Sequence, residues 1–288
     1  MMGERSRQAP AGTNDKTGGD AAAGEGQHMA RTTATGAEDE ARRADRSRVK
    51  RIEVARENGL LRITQWVADR GKRPKVRGWV HVVAAILSVV SGAVLTTFAW
   101  MTLPWLYALG VTIYAAGLVV LFGVSALYHR GPWLKESTIR AWRRADHATI
   151  SVFIASTYTP LCLIALSPTQ AAWILGIAWL GAIAGVVLSM VWIEHPRWLD
   201  LVVYLTLGWL IVPLIPALWQ SAGPAVVILL AVGGVVYSVG AVFYATSWPG
   251  RNANYYGYHE YFHTATVIAA IVHLVAVWMV VVQVGIPS

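Results

Sequence analysis

Beyond Gly78 the chain reads as seven apolar runs, at approximately 79–101, 105–128, 147–166, 171–193, 200–219, 225–247 and 261–284. Each is near the roughly 20 residues that an α-helix needs to cross the hydrocarbon core of a bilayer, so the pattern predicts seven spanning helices. Helix-stopping residues separate several runs: Leu103-Pro104, Ser167-Pro168, Ser221-Ala222-Gly223-Pro224 and Trp248-Pro249-Gly250. Trp79, Trp100, Trp105, Trp173, Trp192, Trp198, Trp219 and Trp248 fall near the expected ends, where indole prefers the headgroup level. The expected fold is all-α, a seven-transmembrane helix bundle.

Upstream the pattern changes. Residues 1–48 have no apolar period and cannot bury enough surface to offset chain entropy, which predicts a disordered tail. Met1–Pro10 has no apolar stretch, so no secretory signal is expected. From Val49 to Val67 an amphipathic pattern appears, with Val49, Ile52, Leu60, Leu61, Ile63, Trp66 and Val67 set among Arg and Lys and an interruption at Asn58-Gly59. Ending in Lys72, Arg73, Lys75 and Arg77, this segment suits an interfacial helix on an anionic leaflet. The expected division is a cytoplasmic tail at 1–48, an amphipathic juxtamembrane segment at 49–77 and a transmembrane domain at 78–288.

Composition agrees, since the 288 residues are 55% hydrophobic and only 14% charged, against about 25% charged in soluble domains. The net charge of +8 does not imply a nucleic-acid partner, because residues 1–78 hold 17 of the 24 Lys/Arg and 11 of the 16 Asp/Glu. The other seven cations are Arg130, Lys135, Arg140, Arg143 and Arg144 between the second and third runs, Arg197 between the fourth and fifth, and Arg251 between the sixth and seventh. The positive-inside rule then places the N-terminus in the cytoplasm and the C-terminus outside, as an odd number of spans requires. The single Cys162 excludes an internal disulfide and a four-Cys metal site. None of the five Lys (16, 50, 72, 75 and 135) lies in a span, which argues against a retinal Schiff base.

Ionisable residues in or beside hydrocarbon are functional-site candidates by default. Ser125 and His129 are i,i+4 neighbours at the end of the second run, Asp146 begins the third, and His259 and His263 are i,i+4 at the start of the seventh. In an alternating bundle all five belong at one depth. A His pair at helical spacing plus a third His from elsewhere is the ligand set of a catalytic Zn2+ with water in the fourth position. Asp146 then serves as a base or orienting group for that water, and Ser125 as a hydrogen-bond partner. His259-Glu260-x-x-His263 also satisfies the soluble zinc-protease pattern, with Glu260 in the general-base place. His273 is about 15 Å further along a continuous helix, too deep to share the ion and expected to be satisfied by a neighbouring helix. His147 points about 100° away from Asp146 and reads as structural. His81 is a candidate supporting group, and His28 and His195 lie outside the runs.

Three motifs occur in order: Ser125-Ala-Leu-Tyr-His129; Arg143-Arg144-Ala-Asp146-His147-Ala with Thr157-Tyr158-Thr159-Pro160; and His259-Glu260-Tyr-Phe-His263 with the later His273. Over roughly residues 73–285 the chain resembles the hemolysin III family, which is similar to the progestin and adipoQ receptors, adiponectin receptors among them. The resemblance implies zinc held near the cytoplasmic face by His129, His259 and His263, with Asp146 on its water and Ser125 nearby. It also implies membrane-lipid chemistry, since adiponectin receptors are linked to ceramide hydrolysis and bacterial relatives to lipid homeostasis or haemolysis. The receptors lack an acidic residue at the Glu260 position, whereas bacterial members carry one, so Asp146 and Glu260 both stand as the general base. Three functions follow as expectations: a zinc-dependent hydrolase of a lipid amide or ester, a membrane sensor with structural zinc, or a pore-forming cytolysin. The expected location is a bacterial plasma membrane and the expected partners are membrane lipids.

Overall fold

A computed structural model describes Pro74 and residues 76–133, 135–192, 196–250 and 255–286, of which the Glu136 and Arg197 side chains are left aside. The expected tail and, apart from Pro74, Val76 and Arg77, the amphipathic segment lie outside the described residues. So do His28, His195 and Arg251. The helices are α1 (Trp79–Thr102), α2 (Trp105–Arg130), α3 (Glu136–Ala165), α4 (Pro168–Val191), α5 (Arg197–Gly208), α6 (Ile215–Ser221), α7 (Pro224–Thr246) and α8 (Tyr258–Gly285), with a 3₁₀ segment at Trp209–Leu214 between α5 and α6. Seven segments are long and apolar enough to cross a membrane, α5 and α6 counting together as Trp198–Ser221. The protein is a multi-pass membrane protein.

Two expected segments need correction. The third begins at Glu136 rather than near residue 147, so Asp146 lies nearly three turns inside α3 instead of at its start. Arg140, Arg143 and Arg144 hide this stretch from an apolar count, yet it contains no Gly or Pro to stop a helix. The fifth is not one continuous α-helix. Pro213 and Pro216 each remove an amide donor and crowd the carbonyl one turn back, so the backbone tightens into the 3₁₀ segment. There the Tyr158 hydroxyl of α3 donates to the carbonyls of Leu207 and Gly208 at 2.8 and 3.0 Å. Lipid offers no such donor, so the break is viable where α3 covers it.

α3 and α2 form the centre: 61% and 56% of their most apolar windows are buried, against 22% for α4 and for the fifth span. Small residues let α3 approach both neighbours. A methyl added at Gly117 of α2 would stand 2.2 Å from Ser156 Oγ, and one at Gly185 of α4 would stand 2.2 Å from Ser151 Oγ. Such close approach is how spanning helices associate without a hydrophobic driving force between them. Tyr114, Leu118, Phe122, Phe153, Leu161, Val277 and Val281 fill the shared core. Outward faces stay apolar, with Ile86, Leu87 and Val90 of α1 and Leu180 and Ile183 of α4 exposed to the lipid side. Trp79, Trp100, Trp105, Trp192, Trp198, Trp219 and Trp248 are exposed near span ends, as an aromatic belt requires.

Candidate metal centre

Because successive spans alternate in direction, the start of α1, the end of α2, the first part of α3 and the start of α8 meet on one side of the bundle. His129 comes from the last turn of α2, and His259 and His263 from the first two turns of α8. Their three rings face one another with centroids 4.9, 4.8 and 4.4 Å apart, and one ligand atom from each lies within 4.8 Å of the others. His129 Nε2 and His259 Nε2 are 3.2 Å apart. Two nitrogens on a tetrahedral zinc at about 2.0–2.1 Å would stand roughly 3.3–3.4 Å from each other, so the spacing fits a shared ion. A buried nitrogen of His263, Nδ1, has no hydrogen-bond partner among the described residues, the kind of orphaned group that an ion or its surroundings would satisfy. Three close imidazoles could hold a metal ion, and such a donor set suits zinc among others.

Around the triad the other sequence candidates separate. Asp146 Oδ2 is 3.8 Å from His129 Nε2, and Ser125 lines the same cavity as Asp146. Asp146 does not belong to the three-residue cluster itself. Its helix position differs from the sequence expectation, but its place beside the histidines does not. His81 packs its ring 3.9 Å from that of His263, with Nε2 3.4 Å from the His263 carbonyl, so it supports that ligand's backbone. His147 turns its Nδ1 to the Arg143 carbonyl at 3.0 Å. His273 reaches the Leu230 carbonyl of α7 at 3.3 Å, in space left by Gly233, and takes no part in the cluster.

Glu260 has partners of its own. One carboxylate oxygen receives Arg77 Nε; the other lies 3.4 Å from Arg77 Nη2 and accepts the Gly257 amide at 2.9 Å. The capping bond explains why α8 starts at Tyr258 rather than near residue 261. Arg77, the last cation of the expected juxtamembrane segment, pairs with the buried Glu260. Gly78 was missed altogether. It holds φ 81°, and a Cβ there would lie 2.6 Å from the His129 Cβ. The only sequence signal for either was Arg-Gly immediately before an apolar run.

A profile of the family described as Haemolysin-III related matches residues 70–274. The chain belongs to the haemolysin III family. Relatives include the "Hemolysin-3 homolog" of Bacillus subtilis (strain 168), 32% identical over 164 residues, which cover 57% of this chain and 76% of the relative. "Hemolysin-3" of Bacillus cereus is 29% identical over 185 residues, 64% of this chain and 82% of that one. The human "Monocyte to macrophage differentiation factor" is 31% identical over 173 residues, 58% and 68% respectively. The matched region of this haemolysin III protein takes in all of the triad, Asp146, Ser125, Glu260 and Arg77.

One cavity adjoins the triad and a second continues from it. The first, about 30 Å³, is lined by Ser125, Asp146, His259 and His263 together with Asp200, Tyr204 and Tyr244. The other, about 90 Å³, lies between Phe153, Ile154, Leu161, Ile211 and Leu230. Leu121, Ile150, Tyr204 and Thr266 line both. Tyr204 and Asp200, hydrogen-bonded at 3.4 Å, are further site-facing groups that the sequence reading did not single out.

Proposed function

We propose that this haemolysin III protein is a zinc-dependent hydrolase of a lipid amide or ester, acting on membrane lipids from the cytoplasmic side of a bacterial plasma membrane. The carrying observation is the Asp146 carboxyl beside, but outside, a cluster of three histidines. Three protein nitrogens leave a tetrahedral position for a reacting group, as in catalytic rather than closed structural sites. Zinc, when bound there, supplies Lewis acidity and acidified water at neutral pH. Asp146 accepts a proton at Oδ2 from water on the triad side, and Ser125 fixes the carboxyl by donating to it. His129, His259 and His263 present neutral nitrogens, and His81 holds the backbone of His263. The apolar cavity, which shares Leu121, Ile150, Tyr204 and Thr266 with the one at Asp146, suits hydrocarbon, while Tyr204, Tyr244 and Asp200 provide polar contacts for a headgroup.

Asp146→Asn tests this reading, because the amide is nearly isosteric but a poor base. The purified variant is expected to keep about one zinc per chain and wild-type melting behaviour, yet lose turnover of lipid amides and esters followed by mass spectrometry. Retained hydrolysis overturns Asp146 as base. Loss of metal on this substitution favours a closed structural site and hence the sensor reading. The bacterial relatives bear names that refer to lysis, and leakage of a dye from vesicles by purified wild-type protein, unchanged by Asp146→Asn, would favour that activity instead.

A further inference from the structure

We propose that Arg77 and Glu260 form a positioning clamp that sets His259 and His263 of α8 against His129 of α2. The proposal rests on the metal-site reading above. Glu260 follows His259 by one residue and precedes His263 by three, so it stands about 100° round the helix from the first and about 60° from the second, and its carboxylate is taken up by Arg77 and the Gly257 amide. It is 2% exposed, its Arg77 partner 18%, and both of its oxygens are engaged by Arg77 and the Gly257 amide. A buried ion pair contributes little net stability, since desolvation offsets much of the attraction. Its position is more informative than its strength.

α2 and α8 touch each other little, whereas α1 and α3 each pack along both. The triad therefore spans two helices related through their neighbours, and at the level of the triad one bridging element touches both. That element is the turn Val76–Gly78 at the head of α1. Arg77 grips α8 at Glu260. Gly78, next in the chain, comes so near α2 that a Cβ would lie 2.6 Å from the His129 Cβ. Trp79 then receives the Arg130 guanidinium over its ring at 4.6 Å. Three consecutive residues thus contact α8 between two ligands and α2 at the third ligand and its neighbour. Moving this turn changes the His129 to His259 and His263 spacing, on which metal affinity depends.

The test uses the full chain purified in detergent, comparing wild type, Arg77→Lys, the double variant Arg77→Met/Glu260→Gln, and His263→Ala. The double variant leaves no uncompensated charge, and the glutamine oxygen can still accept the Gly257 amide. Zinc is titrated against a chromophoric chelator, Co2+ visible absorption reads ligand geometry, and melting of the metal-stripped protein reads the fold. The double variant is expected to melt with stripped wild type yet bind zinc about 10–100-fold more weakly, with altered Co2+ bands. Arg77→Lys, which keeps the charge without the fork, is expected to fall between. Wild-type affinity and bands in the double variant overturn the clamp, as does a loss of affinity matched by collapse of the stripped fold. If wild type binds no more zinc than His263→Ala, the metal-site reading fails instead. If wild type exceeds His263→Ala and the double variant equals wild type, only the clamp fails.

Discussion

His129, His259 and His263 owe their places to unlike neighbours: Gly78 beside the first, the Glu260 cap one residue after the second, and His81 against the third. His273, on the same helix, is bonded to the Leu230 carbonyl and is remote from the cluster. Replacing His129, His259 or His263 with Ala should therefore each deplete metal measured by elemental analysis, while His273→Ala should leave it. Depletion by His273→Ala with retention in His129→Ala would support a protease-like set drawn wholly from α8. Gly78→Ala meets two obstacles, a left-handed φ of 81° and a Cβ 2.6 Å from that of His129. Left-handed geometry alone costs about 1–2 kcal/mol for an L-residue. The variant should show both lower thermal stability and weaker zinc retention, and unchanged values for both would mean the turn relaxes freely.

At the scale of elements, the features that depart from the apolar count are those where one helix serves another. The fifth span tolerates Pro213 and Pro216 because Tyr158 supplies a hydroxyl to the Leu207 and Gly208 carbonyls. Tyr158→Phe should destabilise the protein by about 1 kcal/mol, near the usual net value of a hydrogen bond and the range found within membranes. Denaturation of the variant in mixed detergent measures this, and wild-type behaviour would show that the break needs no external donor. The close contact of α2 and α3 predicts a second effect. Gly117→Ala places a methyl 2.2 Å from Ser156 Oγ and 2.9 Å from its Cβ. Overpacking of this kind costs typically 1–3 kcal/mol. Adding Ser156→Ala should recover part of the loss, and an additive double variant would sever the link between the two positions.

For the whole molecule, the distribution of cations sets an expected orientation with the triad at the cytoplasmic side. A reporter fused after Ser288 and active only in the cytoplasm should be silent, and its activity would overturn the N-in, C-out arrangement. The spans themselves were legible in the chain because lipid imposes a simple rule: backbone groups must bond internally, so a run of about 20 apolar residues becomes a helix. Ser125 with His129, and His259 with His263, were legible as pairs for a similar reason, since helical periodicity alone places i and i+4 on one face. Nothing local could decide what meets across the bundle. The roles of Arg77, Gly78 and Glu260, the depth of Asp146 inside α3, and the covering of the broken fifth span by Tyr158 all depend on side chains distant in sequence. Arg77 and Glu260 are separated by 183 positions. In isolation Arg77 reads as one more cation of a basic segment and Glu260 as a protease-like base. Apolar period and charge count determined the spans and their number; only the packed bundle decided which charges are buried and which side chains meet around the three histidines, because burial and partner choice are properties of the assembled helices.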